Sequence, residues 1–350
     1  MQSNISEIKN VSPKLAVPGG ELVIEVSASV SEGSAQISVE ANGHACFVRS
    51  ASSSRIVADL PTSEAFIDSV SADGICRLQL VPAGPDSPFF DIWCGRRIAS
   101  GMHIVANPAV DPADDSLIVT NSGRRGEQLP ATLFRVEPDG KIEEFPESIL
   151  NPTGLAFSPK GELFVSNRAM GEVLAVGREG LSTVFSANLG IATGLAFDDR
   201  GTLYVGDRSG RIYRVWEYGD NEIFAEIEPS VAAFHLAFGP DKNLYATSPG
   251  LSSHDSVYVI EPDGEVSKYF TGFGRPQGLA FDTNGNLYVA ACYRGRRGIY
   301  RIDAASRNAE LFVSGPEIVG LCFNRGGDLF VATADSVYSL RLGITGTLLK

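Results

Sequence analysis

The sequence predicts an all-β protein, a six-bladed β-propeller preceded by a small β-sandwich, and three observations predict it. A segment of about forty residues recurs six times. Within each copy the apolar residues alternate with period two rather than 3.6. The first hundred residues lack the repeat but carry short strand patterns of their own.

Five copies are plain: GLAFSPKGELFV from Gly154, GLAFDDRGTLYV from Gly194, HLAFGPDKNLYA from His235, GLAFDTNGNLYV from Gly278 and GLCFNRGGDLFV from Gly320. Successive starts lie 40, 41, 43 and 42 residues apart. A weaker copy, NPAVDPADDSLIV from Asn107, precedes them with one extra residue in its turn. In the copy from Gly194, the inner segment is followed by apolar or alternating runs at 203–205, 211–215 and 222–225, which makes four short strands. Turns such as Pro138-Asp139-Gly140 and Pro262-Asp263-Gly264 supply the positive-φ positions that hairpins need. Four-stranded antiparallel units of this period are blades, and a ring of blades leaves only short protected edges. A solenoid of the same period would use helices, and no copy holds ten residues of helical period. Two segments compete for the last strand of the last blade. One is residues 346–349; the other is the stretch around His103-Ile104-Val105, arriving from the opposite end of the repeat.

In the first hundred residues, Leu22, Ile24 and Val26 alternate with Glu25 and Ser27. Further strands are expected at 35–40, 45–48, 55–60, 76–81 and 89–94, and short strands separated by turns suggest a sandwich. The expected division is therefore a sandwich over 1–102 and a propeller over 103–350.

A net charge of −13 argues against a nucleic-acid backbone as partner, since that needs a basic footprint. No run approaches the ~18 apolar residues of a membrane span, and Met1 to Val17 lacks the basic start and apolar run of a secretory signal. The five cysteines are scattered without CxxC or Cys/His spacing, so reduced, mostly buried thiols are expected. A cytoplasmic protein with no membrane partner follows as the expectation.

The N-terminal stretch resembles the immunoglobulin-like IPT/TIG family. The residues that carry the likeness are Ile8 with Ser12-Pro13, Gly19-Gly20-Glu21-Leu22, Asn42-Gly43, and Ile56-Val57-Ala58-Asp59-Leu60-Pro61. The repeat resembles NHL-repeat proteins and the gluconolactonase/regucalcin-like propellers, through the GLAF…GxLYV segments and Tyr204-Val205-Gly206-Asp207-Arg208-Ser209-Gly210. That second resemblance implies a six-bladed propeller with a site at the channel, and a divalent metal held by a glutamate, two asparagines before inner strands and an aspartate after a second strand. Only Asp207 stands at its matching position. Thr153 and Thr193 replace the asparagines, and Asn107-Pro108 offers no glutamate. One carboxylate with amides is a poor cage for a hard cation, which takes six or more oxygens, so a metal is compatible with these residues but not demanded by them.

In a blade, the connection into the inner strand and the loop between the second and third strands emerge on one face. Asn121, Asn167 and Asp207 end the second strands of three successive copies and form the expected ligand-binding ring, with Arg168 and Arg208 one residue beyond. Gln277, ahead of the fifth inner strand, and Tyr293 complete the ligand-binding candidates. The same polar groups would also serve as caps that bond nearby backbone. His235 takes the place of a glycine, and His254 lies in a long loop on the same face. With Asp207, these two are the candidate catalytic or metal-ligating groups.

That face carries eight arginines, Arg124, Arg125, Arg168, Arg208, Arg275, Arg294, Arg296 and Arg297, against five acids. The opposite face is lined with aspartates in its turns, such as Asp111, Asp198, Asp282 and Asp328. Arginine suits bidentate recognition of carboxylate or phosphate, whereas solvated loops with local salt bridges would give the same sequence. The expected partner is an anionic small molecule or an acidic protein segment. The alternative is a lactonase-like hydrolase, metal-assisted or not, using the same face. No GxSxG, HExxH, P-loop or dinucleotide fingerprint decides for catalysis.

Overall fold

The structure is a computed structural model that describes residues 7–27, 38–81, 88–124 and 126–347. Among the described residues it is all-β apart from a single turn-and-a-half of helix at Glu64–Ser69, capped by Ser63. The repeat folds into antiparallel four-stranded arrays, and the third copy shows the pattern. Its strands Ala192–Phe197, Leu203–Asp207, Arg211–Val215 and Asn221–Glu226 pair in sequence order.

Burial falls from the inside outward. The first two of these strands are buried along their whole length, and the outer one buries only Ala225. A strand covered on both faces reads as a continuous apolar run, whereas one with a wet face alternates. The turn between the first two strands is closed by Asp198, whose Oδ1 accepts from the amides of Arg200 (2.9 Å) and Thr202 (2.8 Å). Gly201 sits at φ +90°, a region closed to most side chains.

The inner strands of the copies are Ala109–Val110, Pro152–Phe157, Ala192–Phe197, His235–Phe238, Leu279–Phe281 and Ile318–Phe323. Residues from every one of them line a single central cavity of about 210 Å3. Glycine lets these strands converge. A Cβ at Gly194 would lie 2.7 Å from the Phe234 carbonyl, and one at Gly320 2.5 Å from that of Ala106. Hydroxyls tie neighbouring arrays together: Thr193 donates to the Gly206 carbonyl (3.1 Å) and accepts from the Phe234 amide (3.0 Å).

The last array is completed from the N-terminal side, but by neither expected segment. Strand Arg96–Ala99 pairs with Val337–Arg341, so a stretch upstream of the expected 102/103 boundary belongs to the repeat's final sheet. The stretch around His103 instead crosses from the last array to the first. Ile104 donates to the Ala334 carbonyl (3.0 Å), and the His103 carbonyl accepts from the Ser122 amide (2.8 Å). Gly346 makes only an isolated bridge with Asp282, and residues 348–349 of that alternative lie outside the described residues.

The N-terminal region forms two sheets around one core. Ile8–Ser12, Glu21–Val26, Arg55–Asp59 and Phe47–Ala51 make the first. Ile75–Val81 and Phe90–Cys94 lead the second, with Ser38–Ala41 and His44–Ala45 at its edge. Leu22, Ile24 and Ile56 meet Val39, Leu78 and Ile92 between them. The expected strands at 45–48, 55–60, 76–81 and 89–94 are present within a few residues; of the expected strand at 35–40, only residues from 38 lie within the described set.

This region is bound to the repeat by more than a linker. Leu15–Ala16 pairs in parallel with both Phe90–Cys94 and Ala309–Ser314, joining the second sheet to the fifth array. Arg296 donates to Glu21 Oε1 (2.7 Å) and to the Ser12 carbonyl (3.1 Å). No described helix is long and apolar enough to cross a membrane.

Candidate functional site

The ring of second-strand ends is built largely for its own backbone. Asp207 is 3% exposed, and its Oδ1 accepts from the amides of Ile191 (2.7 Å) and Ser209 (3.2 Å) while Oδ2 accepts from the Ser209 hydroxyl. Asn167 Oδ1 accepts from Ala169 and Met170, both at 3.1 Å. Asn121 Oδ1 takes the His103 amide at 2.9 Å. Each carbonyl or carboxylate oxygen thus holds a loop onto a strand end, the capping role open to these residue types. Thr153 and Thr193, at the expected asparagine positions, direct their hydroxyls to the Asn151 and Gly206 carbonyls.

The catalytic or metal candidates do not converge. His254 is exposed in its loop, Asp207 is committed to amides, and His235 lines the central cavity. Among the described residues, the carboxylates close enough to share a cation are Glu261, Asp263 and Glu265, exposed on a hairpin turn of the opposite face. Nothing described supplies the glutamate-and-two-asparagine set that the resemblance implies.

His235 is 3% exposed, and its Nε2 is buried without a hydrogen-bond partner. Burial lowers its pKa to about 3, so the imidazole is neutral at any physiological pH. A general base works best with a pKa near the operating pH, and burial moves this ring away from that range.

Around the loops, Arg168 donates from Nη2 to the Gly123 carbonyl (3.3 Å), toward the first array. Arg208 donates to the Val231 carbonyl, in the connection to the fourth, so the two guanidiniums turn in opposite directions round the ring. Arg208 Nε is buried and lacks a partner. Tyr293 is packed edge-on against Phe270, Phe273 and Tyr300, with the Arg294 guanidinium 5.0 Å from its ring centre. Gln277 uses its backbone, whose carbonyl accepts from Thr247 Oγ1 at 2.6 Å.

Of the face's arginines, Arg296 is paired with Glu21 and Arg125 lies outside the described residues. No ion pair joins Arg124, Arg208, Arg275, Arg294 or Arg297 to a carboxylate among the described residues; elsewhere Arg49, Arg97, Arg135, Arg214, Arg301, Arg325 and Arg341 have one, while Arg55, Arg96, Arg178, Arg200 and Arg307 do not. Nothing in the sequence indicates which arginines are paired, because Glu127, Asp207 and Asp255 nearby accept from backbone amides.

A family profile described as strictosidine synthase-like, N-terminal, matches residues 194–215. No curated protein matches the chain by sequence. Among solved structures, a protein provisionally named a gluconolactonase is 18% identical with a TM-score of 0.58, over 72% of this chain and 93% of that one. Virginiamycin B lyase from Staphylococcus aureus, in an inactive variant with quinupristin, is 15% identical with a TM-score of 0.52, over 78% and 93%. An auxiliary nutrient binding protein from Bacteroides thetaiotaomicron is 10% identical with a TM-score of 0.54, over 96% and 97%. At such identities the likeness is one of fold, and the fold is a β-propeller.

Proposed function

We propose that the chain is a binding protein: a six-bladed β-propeller, with an IPT/TIG-like immunoglobulin sandwich on its N-terminal side, whose arginine-bearing face receives an anionic small molecule or an acidic protein segment. The observation that carries this reading is the set of face arginines without carboxylate partners, Arg208 half-buried among them. A guanidinium withdrawn from water and given no counter-ion favours an anion that brings one. The arrays at the six inner strands, the cavity they share and the closing strand Arg96–Ala99 support a ring of six blades. The two domains then meet near residue 95 rather than 102.

A binding role also agrees with coverage. The neighbour described as a nutrient binding protein aligns over nearly the whole chain, N-terminal region included, while the lactonase and lyase neighbours align over less of it. The lactonase-like reading keeps the fold likeness in its favour and predicts stoichiometric divalent metal in protein purified without added metal.

The test is a thermal-shift screen of carboxylates, phosphates and neutral sugars, repeated on Arg208→Ala. Charge-assisted contacts are worth ~1.5–3 kcal/mol, so the variant should lose roughly ten- to a hundredfold in anion affinity. Shifts from neutral sugars alone, or an unchanged response of the variant, would defeat the proposal.

A further inference from the structure

We propose that the cleft between the N-terminal region and the first and last arrays is a second binding site, on the face opposite the arginines, for an organic cation: an apolar body carrying an ammonium group. Three parts of the chain wall it. The N-terminal region supplies the turn at 72–74 and Trp93, the closing strand supplies Arg96 and Ile98, and the two arrays supply turns and strand ends. The cleft holds about 550 Å3, within the ~300–1,000 Å3 of small-molecule sites, which favour the junction of two domains. Ile98, Leu117, Val136, Phe330 and Leu340 give it apolar surface, and Trp93 leaves 41% of its area exposed there.

Charge decides the class of ligand. The carboxylates of Asp73, Asp114, Asp115, Glu137 and Asp328 line the cleft, against the guanidiniums of Arg96 and Arg341. Three of these acids already have a cation: Asp114 lies 3.4 Å from Arg135, Asp115 3.1 Å from Arg325 and Asp328 3.6 Å from Arg341. Asp73 serves its own loop, accepting from the Ile75 amide (3.2 Å) and the Ser71 hydroxyl. Glu137 differs. Its backbone closes a hairpin turn with Lys141 and Gly140, but no hydrogen bond or ion pair reaches its half-buried carboxylate among the described residues. Arg96 also lacks an ion pair, yet it is exposed in a lining of net negative charge, which disfavours an anion. An ammonium group can pair with Glu137 and is attracted to the face of an indole, while an apolar body covers the neighbouring side chains. Acids alone are common on a surface; the enclosed volume, the apolar wall and the exposed indole together distinguish this cleft.

The experiment uses the full chain carrying Trp216→Phe, which leaves Trp93 as its one tryptophan. Trp93 emission is followed during titration with 2-phenylethylamine, 2-phenylethanol and phenylacetate, which share an apolar ring and differ in charge. The amine should quench the emission and bind about tenfold more tightly than the alcohol, with phenylacetate weaker still. Glu137→Gln leaves the backbone bonds of the turn in place and should bring the amine's affinity down to that of the alcohol. Trp93 emission indifferent to the amine, equal affinity for amine and alcohol, or undiminished amine affinity in Glu137→Gln would each overturn the proposal. The cleft shares no residue with the arginine-bearing face, so this titration and the anion screen succeed or fail independently.

Discussion

Asp207 and His235 are both buried polar residues at the inner end of the repeat, and they differ in what their neighbours ask of them. Asp207 receives two amides and a hydroxyl from its own and an adjacent loop. His235 stands in a ring of glycines with a buried nitrogen that nothing described reaches. The first is occupied in holding the ring together; the second is buried without a partner. Position in a channel-lining pattern therefore does not identify a functional residue until its hydrogen bonds have been accounted for.

The largest expected effect comes from breaking the occupied member. Asp207→Ala strands the Ile191 amide and the Ser209 groups, and should cost about 3 kcal/mol, seen as a lower denaturant midpoint with an unchanged slope. A loss well under 1 kcal/mol would mean that the carboxylate is dispensable to the fold, and would return it to the list of ligand groups.

Next comes pH. The folded-state pKa of His235 is lowered from 6.5 to about 3 by burial, so the unfolded chain binds the extra proton between those values. Its contribution to stability is complete above pH 6.5 and is lost progressively as the pH falls toward 3. Between pH 8 and pH 5 the parent should lose about 2 kcal/mol more than His235→Gly. Parallel stability–pH curves for the two proteins would show that the ring is wetter, or better partnered, than its surroundings indicate.

The smallest effect sharpens the contrast most. At pH 8, His235→Gly removes an unsatisfied group and also some packing, two changes of opposite sign, and the net should stay within about 1 kcal/mol. A loss of 3 kcal/mol or more in chemical denaturation would instead make His235 a packing residue.

Much of the fold was legible because the repeat's signals are local. The period-two runs, which recur every 40–43 residues, and the Pro-Asp-Gly turns each act within a dozen residues, and the strands stand where they indicate. The closing strand was not legible. Arg96-Arg97-Ile98-Ala99 reads as a polar stretch, and it becomes a strand because the unpaired edge of Val337–Arg341, some 240 residues on, needs hydrogen bonds. Leu15–Ala16 likewise has no strand signature at two residues, yet it bridges two edges in parallel.

By itself, then, the sequence determined that the chain is all-β and where its repeated strands lie, since period follows from order along the chain. Only the tertiary structure decided which strand completes the last sheet, that Asn121, Asn167 and Asp207 are taken up by backbone amides, and that His235 keeps a buried nitrogen without a hydrogen-bond partner. The physical reason is that a polar group's availability depends on every donor and acceptor within reach, and those arrive from loops and strands far away in the chain.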